Sequence, residues 1–165
     1  MKRTSFLIDA CIIFDFVAGE SLNYLFESYF EFLTTDLIMH DELETPSVSD
    51  LADMGLRAIG LDGPTLQSLI TYIVRYPAIK RNDAILLGIA VSRKMPLLTG
   101  DKALRKAAEG EGVVVHGTLW LLDRLVESGV FDARDASDAL EKMVARGRRL
   151  PAKECGRLIA GWRKT

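Results

Sequence analysis

Ser5-Phe6-Leu7-Ile8-Asp9 and Pro96-Leu97-Leu98-Thr99-Gly100-Asp101 share one pattern: a short apolar run that stops at an acid. Apolar runs of this length, without polar alternation, read as strands buried on both faces, as in a parallel sheet. Between and beyond them the periodicity alternates. Helical spacing begins at Leu22-Asn23-Tyr24-Leu25-Phe26, and Glu31-Phe32-Leu33-Thr34 reads as a strand. A short helix follows over Asp36–Glu44, with Thr35 or Asp36 as its N-cap and Pro46 just past its end. Leu56–Leu61 alternates weakly and stops at the turn Asp62-Gly63-Pro64. Helices are expected over Thr65–Arg75, Asn82–Arg93, Lys102–Ala108, Thr118–Ser128, Asp135–Arg146 and Pro151–Trp162, with a β-branched strand at Val113-Val114-Val115. Strands alternating with helices imply an α/β domain around a central, mainly parallel sheet.

The chain has 165 residues, 48% apolar and 27% charged, the proportions of an ordinary globular domain. Its longest apolar run, Ala84–Val91, falls far short of the ~20 residues that span a bilayer. Lys2-Arg3 before Phe6-Leu7-Ile8 imitates a signal peptide, but Asp9 and Asp15 break the apolar region, so a cytoplasmic protein with no membrane association is expected. Two cysteines, Cys11 and Cys155, make no disulfide framework and no zinc motif. The net charge of −2 hides an asymmetry: residues 1–50 carry −8 and residues 141–165 carry +6. The tail cluster Arg146, Arg148, Arg149, Lys153, Arg157, Arg163 and Lys164 is the strongest basic feature and a candidate for binding RNA phosphates. The opposing reading packs Leu158, Ile159 and Trp162 back on the domain; for Trp162 packing is favoured.

Chemistry in open parallel sheets gathers beyond the carboxyl ends of the strands. Asp9 and Asp101 end two predicted strands there, and Glu42 and Asp83 sit on helices that can face the same edge. Taken singly, Asp83 and Asp101 read as helix caps or dipole partners worth ~0.5–2 kcal/mol. Glu42 alone reads as a solvated helix residue. Asp9 resists such an explanation, because Ala10-Cys11-Ile12-Ile13-Phe14 behind it should be interior and a nearly buried carboxylate needs a partner. Together the four imply more. Two like charges ~4 Å apart repel by about 4 kcal/mol at an effective dielectric near 20. A converging cluster therefore either raises its pKa values or binds a cation, and oxygen ligands suit Mg²⁺ or Mn²⁺.

These segments, in this order and spacing, resemble PIN domains: Phe6-Leu7-Ile8-Asp9-Ala10-Cys11, Asp83-Ala84 opening an apolar helix, and Pro96 through Arg105. The resemblance covers roughly residues 1–129, including the Val113–Gly129 strand and helix. It implies a three-layer α/β/α nuclease fold over residues 1–130, with 131–165 a helical basic extension packed on the same domain. It also implies a metal-dependent endoribonuclease like the toxin ribonucleases of VapBC modules, with Mg²⁺ or Mn²⁺ held by Asp9, Glu42, Asp83 and Asp101. Thr99 would support the site, and Lys80, Arg81, Lys102 and Arg105 would bind substrate. Asp41 and Glu44 compete with Glu42 as the helix acid. RNA is the expected partner, together with a second copy of the chain and, if the protein is a toxin, a small antitoxin. Cys11 stands where many members carry Asn or Ser, and the tail from Asp132 exceeds compact toxins. A non-catalytic RNA- or protein-binding module is the competing function. A haloacid-type phosphatase is disfavoured because Cys11 occupies the place of its second acid.

Overall fold

A computed structural model describes residues 3–164. Its sheet contains five strands, all parallel: β1 (Ser5–Ile8), β2 (Glu31–Thr35), β3 (Arg57–Ile59), β4 (Leu97–Leu98) and β5 (Val115–His116), in the order β3-β2-β1-β4-β5. The order reverses between β1 and β4, where Leu7 pairs with Leu97 and Ile8 with Leu98. That reversal opens a crevice beyond the strand ends.

Ten helices complete the described residues: α1 (Ala10–Ala18), α2 (Leu22–Glu27), α3 (Asp36–Glu42), α4 (Val48–Met54), α5 (Gly63–Arg75), α6 (Arg81–Arg93), α7 (Lys102–Gly110), α8 (Thr118–Glu127), α9 (Ala133–Ala145) and α10 (Ala152–Trp162). They pack in two groups, α5 with α6 and α7, and α1 with α8, α9 and α10, so the domain is a three-layer α/β/α structure. Phe6, Leu7, Ile8, Leu97 and Leu98 are buried, as the unbroken apolar runs require. α6 is buried from Asp83 through Ala90 and forms the central helix of its layer.

Several elements depart from the sequence pattern. Ala10–Ala18 is a helix where sequence alone indicated only an interior segment, its periodicity obscured because Ile12, Ile13 and Phe16 are all buried. α4 was not anticipated; Ser47 and Asp50 form a reciprocal capping box at its start. α3 stops at Glu42 rather than Glu44, with Thr35 Oγ1 accepting from Ile38 N at its start. β5 begins at Val115, two residues later than the β-branched run.

The tail docks on the domain. α9 packs on α1 so closely that a Cβ at Gly19 would meet Met143 Cε at 2.7 Å. α10 lies on α8 and α9, and Trp162 is buried, its indole N–H donating to Asp123 at 3.2 Å. Among the described residues no helix is long and apolar enough to cross a membrane. The outer side of α5 keeps Leu66, Ile70, Ile73 and Val74 exposed, Ile70 at 71%.

Candidate acidic site at the sheet reversal

Parallel pairing of β1 with β4 places the first residues beyond each strand side by side. Asp9 N–H donates to Leu98 O at 2.9 Å, and Thr99 Oγ1 donates to Asp9 Oδ2 at 2.7 Å. Asp9 is the N-cap residue of α1, yet its carboxylate does not cap the helix. Cys11 Sγ donates to the same Oδ2 at 3.1 Å and accepts from Gly100 N at 3.2 Å, while Asp101 N–H donates to Thr99 Oγ1 at 3.1 Å. This chain of bonds ties the 99–101 turn to the start of α1 and takes up one oxygen of Asp9. Burial first, and the Asp9 charge second, raise the Cys11 pKa, so the thiol stays protonated and remains a donor.

Asp101 does cap its helix: Oδ1 accepts from Leu104 N at 2.8 Å. Asp83 lies in the first turn of α6, 8% exposed, and among the described residues its carboxylate has only a long 3.4 Å contact from Lys80 N. Burial pushes its carboxyl up to about 7; the charges of Asp9, Asp101 and Glu42 add to the rise, and the Lys80 N–H opposes it. Glu42 is held by Asn82 Nδ2 at 3.0 Å, and the same amide reaches Asp41 Oδ2 at 3.4 Å. Glu44 lies past the end of α3. Asn82 and Cys11 were not singled out from sequence as site residues, because amides and thiols of this kind carry no motif.

Asp9 and Asp83 are buried, and among the described residues none of Asp9, Glu42, Asp83 and Asp101 forms an ion pair with Lys, Arg or His. Asp15 is equally buried but has Arg148 and Thr118 as partners. The acidic edge is therefore left without cationic compensation by the chain itself, and its all-oxygen donor set fits a hard divalent cation. Its four acids do not close into a preformed cage: among the described residues no three Asp, Glu, His or Cys side chains gather tightly enough for that.

The anticipated cations divide. Lys80, Arg81 and Lys102 are exposed beside the helix starts that carry Asp83 and Asp101, and among the described residues they form no ion pair. Arg105 is engaged instead, donating to Thr99 O at 3.3 Å and Val115 O at 3.4 Å, so its guanidinium braces the ends of β4 and β5.

The raised Asp83 pKa predicts a stability profile. From the ordinary aspartate range up to about pH 7, the folded chain keeps a proton that the unfolded chain has lost. Stability of the metal-free protein therefore falls as pH rises through that window and levels off above it. Asp83→Asn is expected to flatten this fall and to stabilise the protein near pH 8 by about 1–3 kcal/mol. Urea unfolding in EDTA at several pH values checks it, and equal slopes in the two proteins would refute the assignment.

No curated protein and no solved structure gave a significant match. A family model described as PIN domain matches residues 5–164, and it agrees with the all-parallel sheet and with acids at the switch in strand order. The chain belongs to the PIN-domain family and has its nuclease-type fold.

Proposed function

We propose that this protein is a divalent-metal-dependent endoribonuclease that hydrolyses RNA phosphodiester bonds. The observation that carries the reading is the buried, uncompensated pair Asp9 and Asp83 at the sheet reversal, with Asp101 and Glu42 close enough to act on Asp83. A fold with a stability of only ~5–15 kcal/mol keeps such repulsion where a cation offsets it.

Asp9, Glu42, Asp83 and Asp101 would hold Mg²⁺ or Mn²⁺. When bound, the ion supplies Lewis-acid charge against the scissile phosphate and makes water acidic enough to attack near neutral pH. Thr99 and Cys11 occupy Oδ2 of Asp9 and orient the carboxylate, leaving Oδ1 for the cation. Asn82 fixes Glu42 toward the start of α6. Asp101 uses Oδ1 for its helix cap, which leaves Oδ2 for the site. Lys80, Arg81 and Lys102 offer positive charge at the rim, where a phosphate backbone needs it to approach an acidic centre. Toxin activity within a toxin–antitoxin pair is the narrower form of this reading; a small antitoxin-like reading frame next to the gene would support it.

The test is thermal melting with and without Mg²⁺ or Mn²⁺, alongside cleavage of a mixed RNA pool. Saturating metal at about 100 times its Kd stabilises by about 2.7 kcal/mol, a rise of several degrees in Tm. Asp83→Asn should shrink the rise. A metal response of equal size in wild type and variant would exclude a site shared with Asp83, and absence of metal-dependent cleavage would exclude the nuclease.

A further inference from the structure

The seven basic residues of the tail do not form one patch. Arg146 is spent on Glu20 and Ala18 O, Arg148 on Asp15 and Cys11 O, and Arg163 on Glu141. Lys142, just upstream, is also paired with Glu20. The other four, Arg149, Lys153, Arg157 and Lys164, are exposed and have no carboxylate partner among the described residues. A tail that reads as uniformly basic is therefore sorted by the fold into an anchoring set and a free set.

Part of the free set is aligned. At 100° per residue, Lys153 and Arg157 fall within about 40° of one another around the α10 axis, separated by a rise of about 6 Å, while Arg149 precedes the helix and Lys164 lies two residues past its end. Gly156 and Ala160 are exposed beside them and leave the face unobstructed. The buried face of α10 carries Cys155 and Trp162. Glu154 is the only acid on the helix.

The row also has a defined start. The Arg148 guanidinium donates to Cys11 O at 3.2 Å, and Cys11 Sγ bonds to Asp9, so Arg149 directly follows a residue whose side chain reaches the first turn of α1, the helix that starts at the acidic edge. α10 ends at Trp162, whose indole N–H donates to Asp123 of α8.

We propose that Arg149, Lys153, Arg157 and Lys164 form a phosphate track that holds a single RNA strand along α10 as it leaves the acidic edge. The choice of RNA rests on the nuclease reading. Spaced, unpaired cations on a smooth helix face fit a phosphate backbone and offer no base-reading groups. Binding should accordingly be sequence-tolerant and strongly dependent on salt.

The experiment measures the affinity of the full chain, in metal-free buffer, for a labelled oligouridylate of roughly 16 nucleotides, within the range of single-strand sites. One variant combines Arg149→Gln, Lys153→Gln and Arg157→Gln. A charge-matched control combines Lys142→Gln, Arg146→Gln and Arg163→Gln. Each lost phosphate contact flattens the slope of log K against log salt by about 0.7, so the track variant should lose about 2 in slope and at least ~10-fold in low-salt affinity. Its Tm should not change, because these side chains have no hydrogen-bond or ion-pair partner to lose among the described residues. The control should keep most of its affinity and slope. Equal losses in the two variants would show that only diffuse charge acts, and wild-type binding by the track variant would overturn the track. Failure of wild type to bind the strand at low salt overturns it as well. Because no metal is present, none of these outcomes depends on cleavage, which separately decides the nuclease reading.

Discussion

Single-turnover RNA cleavage by Asp9→Asn and by Asp101→Asn is expected to be at least ~100-fold slower than by the wild type, because even indirect support of a metal site is worth 10–100-fold. Both substitutions keep the shape of the side chain and remove one negative charge. Asparagine at 9 retains an acceptor for the Thr99 hydroxyl and the Cys11 thiol, so the tie between β1 and the 99–101 turn survives. Asparagine at 101 caps a helix about as well as aspartate, so the start of α7 is preserved while the charge is lost. An ion that stabilises charge growing in the transition state affects turnover far more than ground-state binding. RNA affinity in metal-free buffer should hold or rise, since an acid that repels phosphate has gone. Cleavage that persists unchanged in both variants would mean a contaminating nuclease. With no wild-type cleavage in either metal, the protein is a binding module on a nuclease-type fold.

Arg148→Met is expected to be the most destabilising neutralisation among the tail's basic residues, by about 2–4 kcal/mol, somewhat below the 3–5 kcal/mol typical of a fully buried pair because the guanidinium is partly exposed. Asp15 is 4% exposed inside α1, with Thr118 on one oxygen and Arg148 on the other. Removing the arginine strands its charge among Ile12, Phe16 and the rest of the core. The same change releases Cys11 O and removes one of the two side-chain ties that hold the 146–150 segment to α1, leaving that of Arg146 to Ala18 O. The double variant Asp15→Asn, Arg148→Met should recover part of the loss, because no buried charge then remains unpaired. Urea denaturation of the single and double variants reads both effects. A cost under about 1 kcal/mol for Arg148→Met would show that the pair is an exposed one of small value.

Local pattern was enough to read the class of the fold and to put Asp9 and Asp101 just past strand ends. Unbroken apolar strands that end in Asp9 and near Asp101 imply parallel pairing, and parallel pairing brings strand ends to one edge whatever the details. Thr35 acts through Ile38, three residues away, and a signal of that range is written in the chain. Ala10–Ala18 was not legible as a helix, because a segment buried on nearly every side loses the amphipathic period by which helices are recognised.

Which charges meet is settled by packing between remote elements. Asp15 and Arg148 are 133 residues apart, Glu20 and Arg146 are 126 apart, and nothing local to either partner announces the pairing. The same applies to Arg105, a surface cation by sequence, which the fold turns onto the carbonyls of Thr99 and Val115. Charge on a chain is a count, but its effect depends on distance and burial, and both are set by packing between remote elements. The sequence by itself therefore determined a parallel α/β domain with acids at its strand ends. The fold decided that Asp9 and Asp83 are left without a cation while Asp15 is given one, and which of the tail's positive charges remain free.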